Sequence, residues 1–297
     1  MSLRGRYVID RIKAAIGHRF KLPVPPYEKE EYWDKVYKSF SPDGTFEWGG
    51  LNVSDDLGEY ENNPHTYKSF VAQYGYQSRY DDLSPGIIKR TLAETLNLEH
   101  CQRKKTLLLL GCGNSRMGEE LIINGLVRGG DTLIQVDLSS KVVELMQERW
   151  NQQKEHYQRI ISQSSDEPLD MRIIHDDARQ LSHLPNSFVD AVIDKGLVDA
   201  LHCCDVHDQI HDVTNAVHRV LKPQGGVFVT FSYSRPQFFL DRTLFSPAQL
   251  QRKESNQRIS FQPRDLWKNI EIRAMQHILL YRYVKGGQPK IGRPATS

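Results

Sequence analysis

The stretch Thr106–Gly118, T-L-L-L-L-G-C-G-N-S-R-M-G, passes from an apolar run through a glycine turn into a helix start. Thr106 to Leu110 shows no period of 3.6, and a short apolar run ending in glycine fits a strand buried on both faces. Gly111-Cys112-Gly113 breaks the run. Asn114 and Ser115 then offer side-chain oxygens for a helix N-cap ahead of Met117-Gly118-Glu119-Glu120-Leu121. Such a turn brings backbone N–H groups up to a ligand, and missing Cβ atoms permit close approach. This is the outline of a nucleotide-type cofactor site, although an ordinary strand-to-helix turn reads the same way.

Moving outward, the spacing departs from G-x-G-x-x-G: Arg116 holds the sixth position and Gly118 comes two places late. Twenty-six residues after Gly111, the run Thr132–Val136 ends in Asp137-Leu138-Ser139. An acid at the tip of the second strand of a βαβ unit is placed to hold ribose hydroxyls, while a helix N-cap is the plain alternative.

Further along, a helix is expected after Ser139-Ser140 with its polar end, 151–168, in a loop. A third strand spans Met171–His175, closed by Asp176-Asp177-Ala178, and a fourth spans Phe188–Ile193, followed by Asp194-Lys195-Gly196. Ile210–Leu221 reads as a helix stopped by Lys222-Pro223-Gln224-Gly225-Gly226, and Val227–Phe231 as a fifth strand. Ile270–Arg273 and His277–Val284 read as a closing hairpin. Upstream, Ile87–Leu98 has helical spacing. The fold class is therefore α/β: a doubly wound, mostly parallel, Rossmann-like sheet with a C-terminal antiparallel hairpin and an N-terminal extension. Ligands of such sheets sit at the strands' carboxyl ends.

Composition bounds the rest. A chain of 297 residues with 39% hydrophobic and 26% charged residues is expected to be globular, with material for a full core. Net charge +2 gives no footprint for nucleic acid. No apolar run approaches the ~20 residues that span a bilayer. Four cysteines without framework spacing point to a reducing compartment, cytoplasmic by default. Residues 1–26 form a basic extension: Arg4, Arg6, Arg11, Lys13, Arg19 and Lys21 against Asp10 alone, with Ile9, Ile12, Ile16 and Phe20 near one helical face. That pattern suits either a mitochondrial presequence or a solvated helix. The domain proper is expected over 27–285, with 51–80 as an inserted polar loop and 286–297 as a disordered tail. His202, Cys203, Cys204, His207 and His211 lie close together but lack paired zinc spacing, so no metal is expected.

Trp33 and Tyr37 lie one helical turn apart in Y-W-D-K-V-Y, with Trp48 following in F-E-W-G-G. By themselves these aromatics read as core packing. Together with L-L-G-C-G-N-S, V-D-L-S, D-K-G-L-V-D-A-L and R-V-L-K-P-Q-G-G-V-F-V, however, they make the chain resemble class I S-adenosylmethionine-dependent methyltransferases. The resemblance is to the lysine methyltransferases acting on elongation factor 1-alpha and citrate synthase. It covers roughly residues 27–50 and 85–285.

The resemblance implies S-adenosyl-L-methionine as cofactor and a lysine-bearing protein, such as a translation elongation factor, as substrate, with the enzyme a monomer. It implies that Gly111 and Gly113 line the methionine end, Asp137 grips the ribose, Leu138 packs on adenine, and Asp177 with Ala178 reaches the adenine amino edge. Lys195 would contact the cofactor, Trp33, Tyr37 and Trp48 would close over it, and Asp194 would accept the lysine proton or hold the amine. Two departures stand out. The 51–80 segment adjoins the substrate entrance, and Gly49-Gly50 replace the bulkier residue expected after the tryptophan. Rival readings are a nicotinamide-dependent oxidoreductase, which lacks its third glycine here, and a cofactor-binding scaffold without catalysis.

Overall fold

Leu107 and Leu109 turn to one face of strand β2 (Thr106–Leu110), Leu108 and Leu110 to the other, and all four are buried. That double burial explains why the strand reads as an unbroken apolar run. The computed structural model describes residues 24–46, 77–80, 87–96, 103–163, 165–204, 206–223, 225–254, 266–275 and 278–286. The basic segment through residue 23, Trp48 and residues 287–297 lie outside them.

In chain order, α1 (Glu30–Tyr37), β1 (Gln77–Tyr80) and α2 (Ile87–Thr95) precede β2. Then come α3 (Met117–Ile123), β3 (Thr132–Asp137), α4 (Ser140–Ile161), β4 (Asp170–His175) and β5 (Ala191–Lys195). After these follow α5 (Leu197–Cys203), α6 (His207–Val220), β6 (Val227–Ser232), α7 (Pro236–Leu244), α8 (Pro247–Glu254), β7 (Trp267–Met275) and β8 (Ile278–Lys285). They build an eight-stranded sheet ordered β1-β7-β8-β6-β5-β2-β3-β4. All pairings are parallel except those of β8, which runs antiparallel to both β6 and β7. One apolar cluster gathers residues of α2, α3 and α4 on one face, and a second gathers α5, α6 and α7 on the other. The chain order reverses between β5 and β2, which puts a crevice at the carboxyl ends of those strands.

Three expectations are corrected. Helix α4 does not end in a loop at residue 151 but continues to Ile161, because Tyr157 and Ile161 carry its apolar stripe into the core beside Trp150. The fourth strand starts at Ala191 rather than Phe188. The N–H groups of Phe188 and Val189 both donate to the Val220 carbonyl (2.7 and 3.0 Å), which ties them to the end of α6 before the sheet begins. Its last residues are Asp194 and Lys195, charged groups inside a buried strand. The segment 51–80 contains β1, which extends the sheet beyond β7. Helices α5, α7 and α8 occupy stretches to which the sequence reading assigns no element.

Candidate active site

The glycine turn begins with a bond from the Cys112 N–H to the Val136 carbonyl (3.0 Å), which anchors it to the tip of β3. Gly111 and Gly113 take φ values of +58° and +51°, the left-handed region in which a Cβ is strained. Space forbids one as well. A Cβ on Gly111 would lie 2.8 Å from the Leu197 Cβ, and one on Gly113 would lie 2.7 Å from the Tyr37 hydroxyl. The turn is thus bare where α5 and α1 press on it. It forms one wall of a crevice of about 900 Å³, counted to its open mouth.

Asp137 forms the adjoining wall. Its Oδ2 accepts the Gly113 N–H (2.8 Å) and its Oδ1 the Ser139 N–H (2.9 Å). Burial pushes its carboxyl above the ordinary value, and the hydrogen bonds from Ser139 and Gly113 partly offset that push. Leu138 lines the crevice next to it, and its carbonyl accepts from His175 Nε2 (2.8 Å). Asp177 and Ala178 line the far end. The Asp177 carboxylate is already gripped by Arg179, whose Nε lies 2.8 Å from both oxygens, while Arg179 Nη1 donates to Gln209. Beside it Asp176 holds the turn: burial would raise its carboxyl, but bonds from His183 and Ser182 outweigh this and pull it below normal.

The N-terminal segment closes the crevice from above. Trp33 stacks on Tyr37 (centroids 6.0 Å apart) and leans on Tyr27 (5.6 Å), and its indole N–H donates to the Tyr27 carbonyl at 2.7 Å. Tyr27, Trp33, Tyr37 and Phe46 all line the cavity. Three contacts fasten this roof. Buried Asn114 accepts the Phe46 N–H (3.1 Å) and donates to the Gly44 carbonyl (2.9 Å). Asp34 accepts from the turn after β3. Cys204 Sγ accepts the Tyr27 N–H at 3.2 Å, and its thiol is pushed up to about 12 by burial. Under the glycine turn, buried Arg149 donates to the Asn114 and Ser115 carbonyls (3.1 and 2.8 Å) and pairs with Glu119 at 2.8 Å.

Lys195 lines the floor beside Gly196, but Asp194 does not reach the cavity. Asp194 has no exposed surface; its Oδ1 accepts the Leu197 N–H (2.9 Å) and its Oδ2 the Thr230 hydroxyl (2.6 Å). Burial raises its carboxyl to about 7, and neighbouring Asp199 adds to the rise. Enclosed and bonded in this way, Asp194 fixes the loop entering α5. Asp199 does the same for the loop after β6, accepting from the Ser232 hydroxyl and the Tyr233 N–H.

Crevice residues assigned no role from the sequence include Tyr27, Glu28, Phe46, Arg179, Ala200 and Leu201. Tyr27 lies six residues before Trp33, so the continuing aromatic run was its only signal. Among the described residues no group of three His, Cys, Asp or Glu side chains could hold a metal, and no helix is long and apolar enough to cross a membrane. His202 Nδ1 faces Arg242 Nη1 at 2.7 Å instead.

The donor set fits a nucleoside cofactor carrying a cationic, amino-acid-like arm. A buried carboxylate stands beside the glycine turn, the glycine cradle admits no Cβ, and aromatic faces cover the cavity. A family model described as a methyltransferase domain matches residues 108–229. EEF1A lysine methyltransferase 4 of Mus musculus is 26% identical over 222 residues, which cover 71% of this chain and 64% of that protein. The chain thus spans less than two thirds of the mouse relative's length. Its Bos taurus counterpart is 24% identical over 241 residues, covering 76% and 71%. Among solved structures, geranyl diphosphate C-methyltransferase from Streptomyces coelicolor A3(2) aligns with a TM-score of 0.42 at 16% identity, over 89% of this chain and 100% of that one. A SAM-dependent methyltransferase from Aquifex aeolicus aligns at 0.37 and 12% identity, over 75% and 98%.

Proposed function

We propose that this chain is a class I S-adenosylmethionine-dependent methyltransferase and that it methylates a lysine side chain of a protein, with a translation elongation factor the first candidate. The observation that carries the reading is the crevice at the strand tips, walled by Gly111, Gly113 and Asp137 and roofed by Trp33 and Tyr37. The similarity to the EEF1A lysine methyltransferase 4 proteins supports lysine as acceptor.

When bound, S-adenosylmethionine supplies a methyl group on a sulfonium that is already activated toward nucleophiles. The chain's own residues then have three tasks. Asp137 would hold the ribose hydroxyls, with Leu138 and Ala178 against the base and the Gly111–Gly113 backbone at the methionine end. Lys195, 9% exposed on the crevice floor, would contact the cofactor. Tyr27, Trp33, Tyr37 and Phe46 would exclude water. A dry aromatic mouth favours the neutral amine, which is the form that attacks. Alignment and desolvation are the catalytic means here, with Asp194 positioning the Lys195–Leu197 loop.

The test is incubation of the purified chain with methyl-labelled S-adenosylmethionine and either cell lysate or recombinant elongation factor 1-alpha. Labelled methyl-lysine in protein hydrolysates is the expected result. Label confined to small molecules, or NADH binding in place of S-adenosylmethionine, would replace this reading.

A further inference from the structure

The acids of α1 face away from the crevice yet touch the same turn that carries Asp137. Asp34 and Glu30 lie four residues apart on one side of the helix, and Trp33 and Tyr37 likewise on another. Asp34 Oδ1 accepts the Ser139 hydroxyl (2.6 Å) and the Lys141 N–H (3.2 Å), while Oδ2 accepts the Ser140 hydroxyl (3.4 Å). These groups form the first turn of α4, whose unpaired N–H groups favour a negative charge. Ser139 in turn donates its backbone N–H to Asp137 Oδ1 at 2.9 Å. Glu30 adds a second tie, 3.1 Å from His175 Nε2, beside the Leu138 carbonyl.

From this chain of contacts we infer that Asp34 is a positioning residue that latches the aromatic roof to the ribose-end turn, so that roof closure and the orientation of Asp137 form one event. A roof fastened only by ring stacking would close independently of Asp137. The Asp34–Ser139–Asp137 sequence of bonds instead makes each hold the other in place. The inference rests on the cofactor reading of the crevice.

Its test combines calorimetry with S-adenosylhomocysteine, hydrogen exchange over residues 30–37 with and without that ligand, and melting temperatures. Asp34→Ala removes every acceptor, while Ser139 still caps α4 through the Val142 N–H, so the variant keeps its helix start. Affinity should fall about tenfold, as loss of a charge-assisted bond implies. Asp34→Asn keeps an oxygen toward Ser139 and should stay within about threefold of wild type. Ligand should slow exchange across 30–37 in wild type and Asp34→Asn but not in Asp34→Ala. Wild-type affinity and protection in Asp34→Ala would overturn the latch, and so would a lowered melting temperature with affinity intact in the folded fraction. Failure of the wild-type chain to bind either S-adenosylmethionine or S-adenosylhomocysteine would overturn the crevice reading, and the latch with it.

Discussion

At the scale of single residues, Asp194 sets a measurable consequence. Its carboxyl titrates near 7 in the folded chain, chiefly because burial disfavours the charge, against about 3.9 when the chain is unfolded. Between those values the native state holds a proton that the unfolded state has released, so stability falls as pH rises through that window. The stabilisation is fully present below about pH 4 and is lost by about pH 7, with a size on the order of a few kcal/mol. Asp137 is raised by burial too and contributes with the same sign, whereas Asp34 and Asp176 are lowered and matter only at acid pH. Asp194→Asn isolates the effect, since it retains an oxygen for Leu197 or Thr230 without titrating. Urea unfolding at pH 5 and pH 7.5 should show wild type losing more stability over that interval than Asp194→Asn. Parallel losses would mean that the Asp194 carboxyl does not titrate there.

At the scale of elements, α4 separates what holds the fold from what forms the site. Its N-terminus meets Asp34, and its far end packs Tyr157 and Ile161 into the core, with Trp150 stacked on Tyr157 at 5.7 Å. Ile161→Ala should cost about 2–4 kcal/mol of stability, the usual range for a buried aliphatic truncation. Cofactor affinity should remain unchanged, and a matching loss of affinity would show that the helix transmits strain to the turn. The same helix shows where sequence stops being legible. Strands β2 and β3 were readable because both faces are apolar, and Thr106–Leu110 emerged with its bounds intact. Residues 151–161 were not, because one buried side chain every four to seven positions is lost among glutamines and charges. β5 was misplaced by its charged end: periodicity counts Asp194 and Lys195 as exterior, although hydrogen bonds within the fold satisfy Asp194. Gly111, Gly113 and Asp137 were legible because they act through local turn chemistry. Asn114 and Asp34 were not, because their partners lie 68 to 107 residues away along the chain.

At the scale of the whole molecule, the sheet supplies a floor and two walls, and a segment from the other end of the chain supplies the roof. Residues 24–46 reach the sheet through side-chain contacts at Asn114, Ser139 and Cys204, none of them a strand pairing. Removing a roof residue should therefore weaken ligand binding more than it weakens the sheet. Linkage makes this measurable on the intact chain. Ligand at a hundred times its dissociation constant stabilises the native state by about 2.7 kcal/mol. For a chain of this size that raises the melting temperature by roughly 4–5 °C. At one fixed concentration of S-adenosylhomocysteine, wild type and Ile161→Ala should show the same increment, though from different starting temperatures. Asp137→Ala should lose most of it, because two charge-assisted bonds to ribose are worth on the order of 2–4 kcal/mol. Trp33→Ala should lose part of it while its ligand-free melting temperature stays near wild type, since a half-buried ring over the crevice contributes cation–π contact and water exclusion. A Trp33→Ala protein that melts early yet keeps the full ligand increment would make Trp33 a packing residue, and the segment 24–46 an accessory of the core.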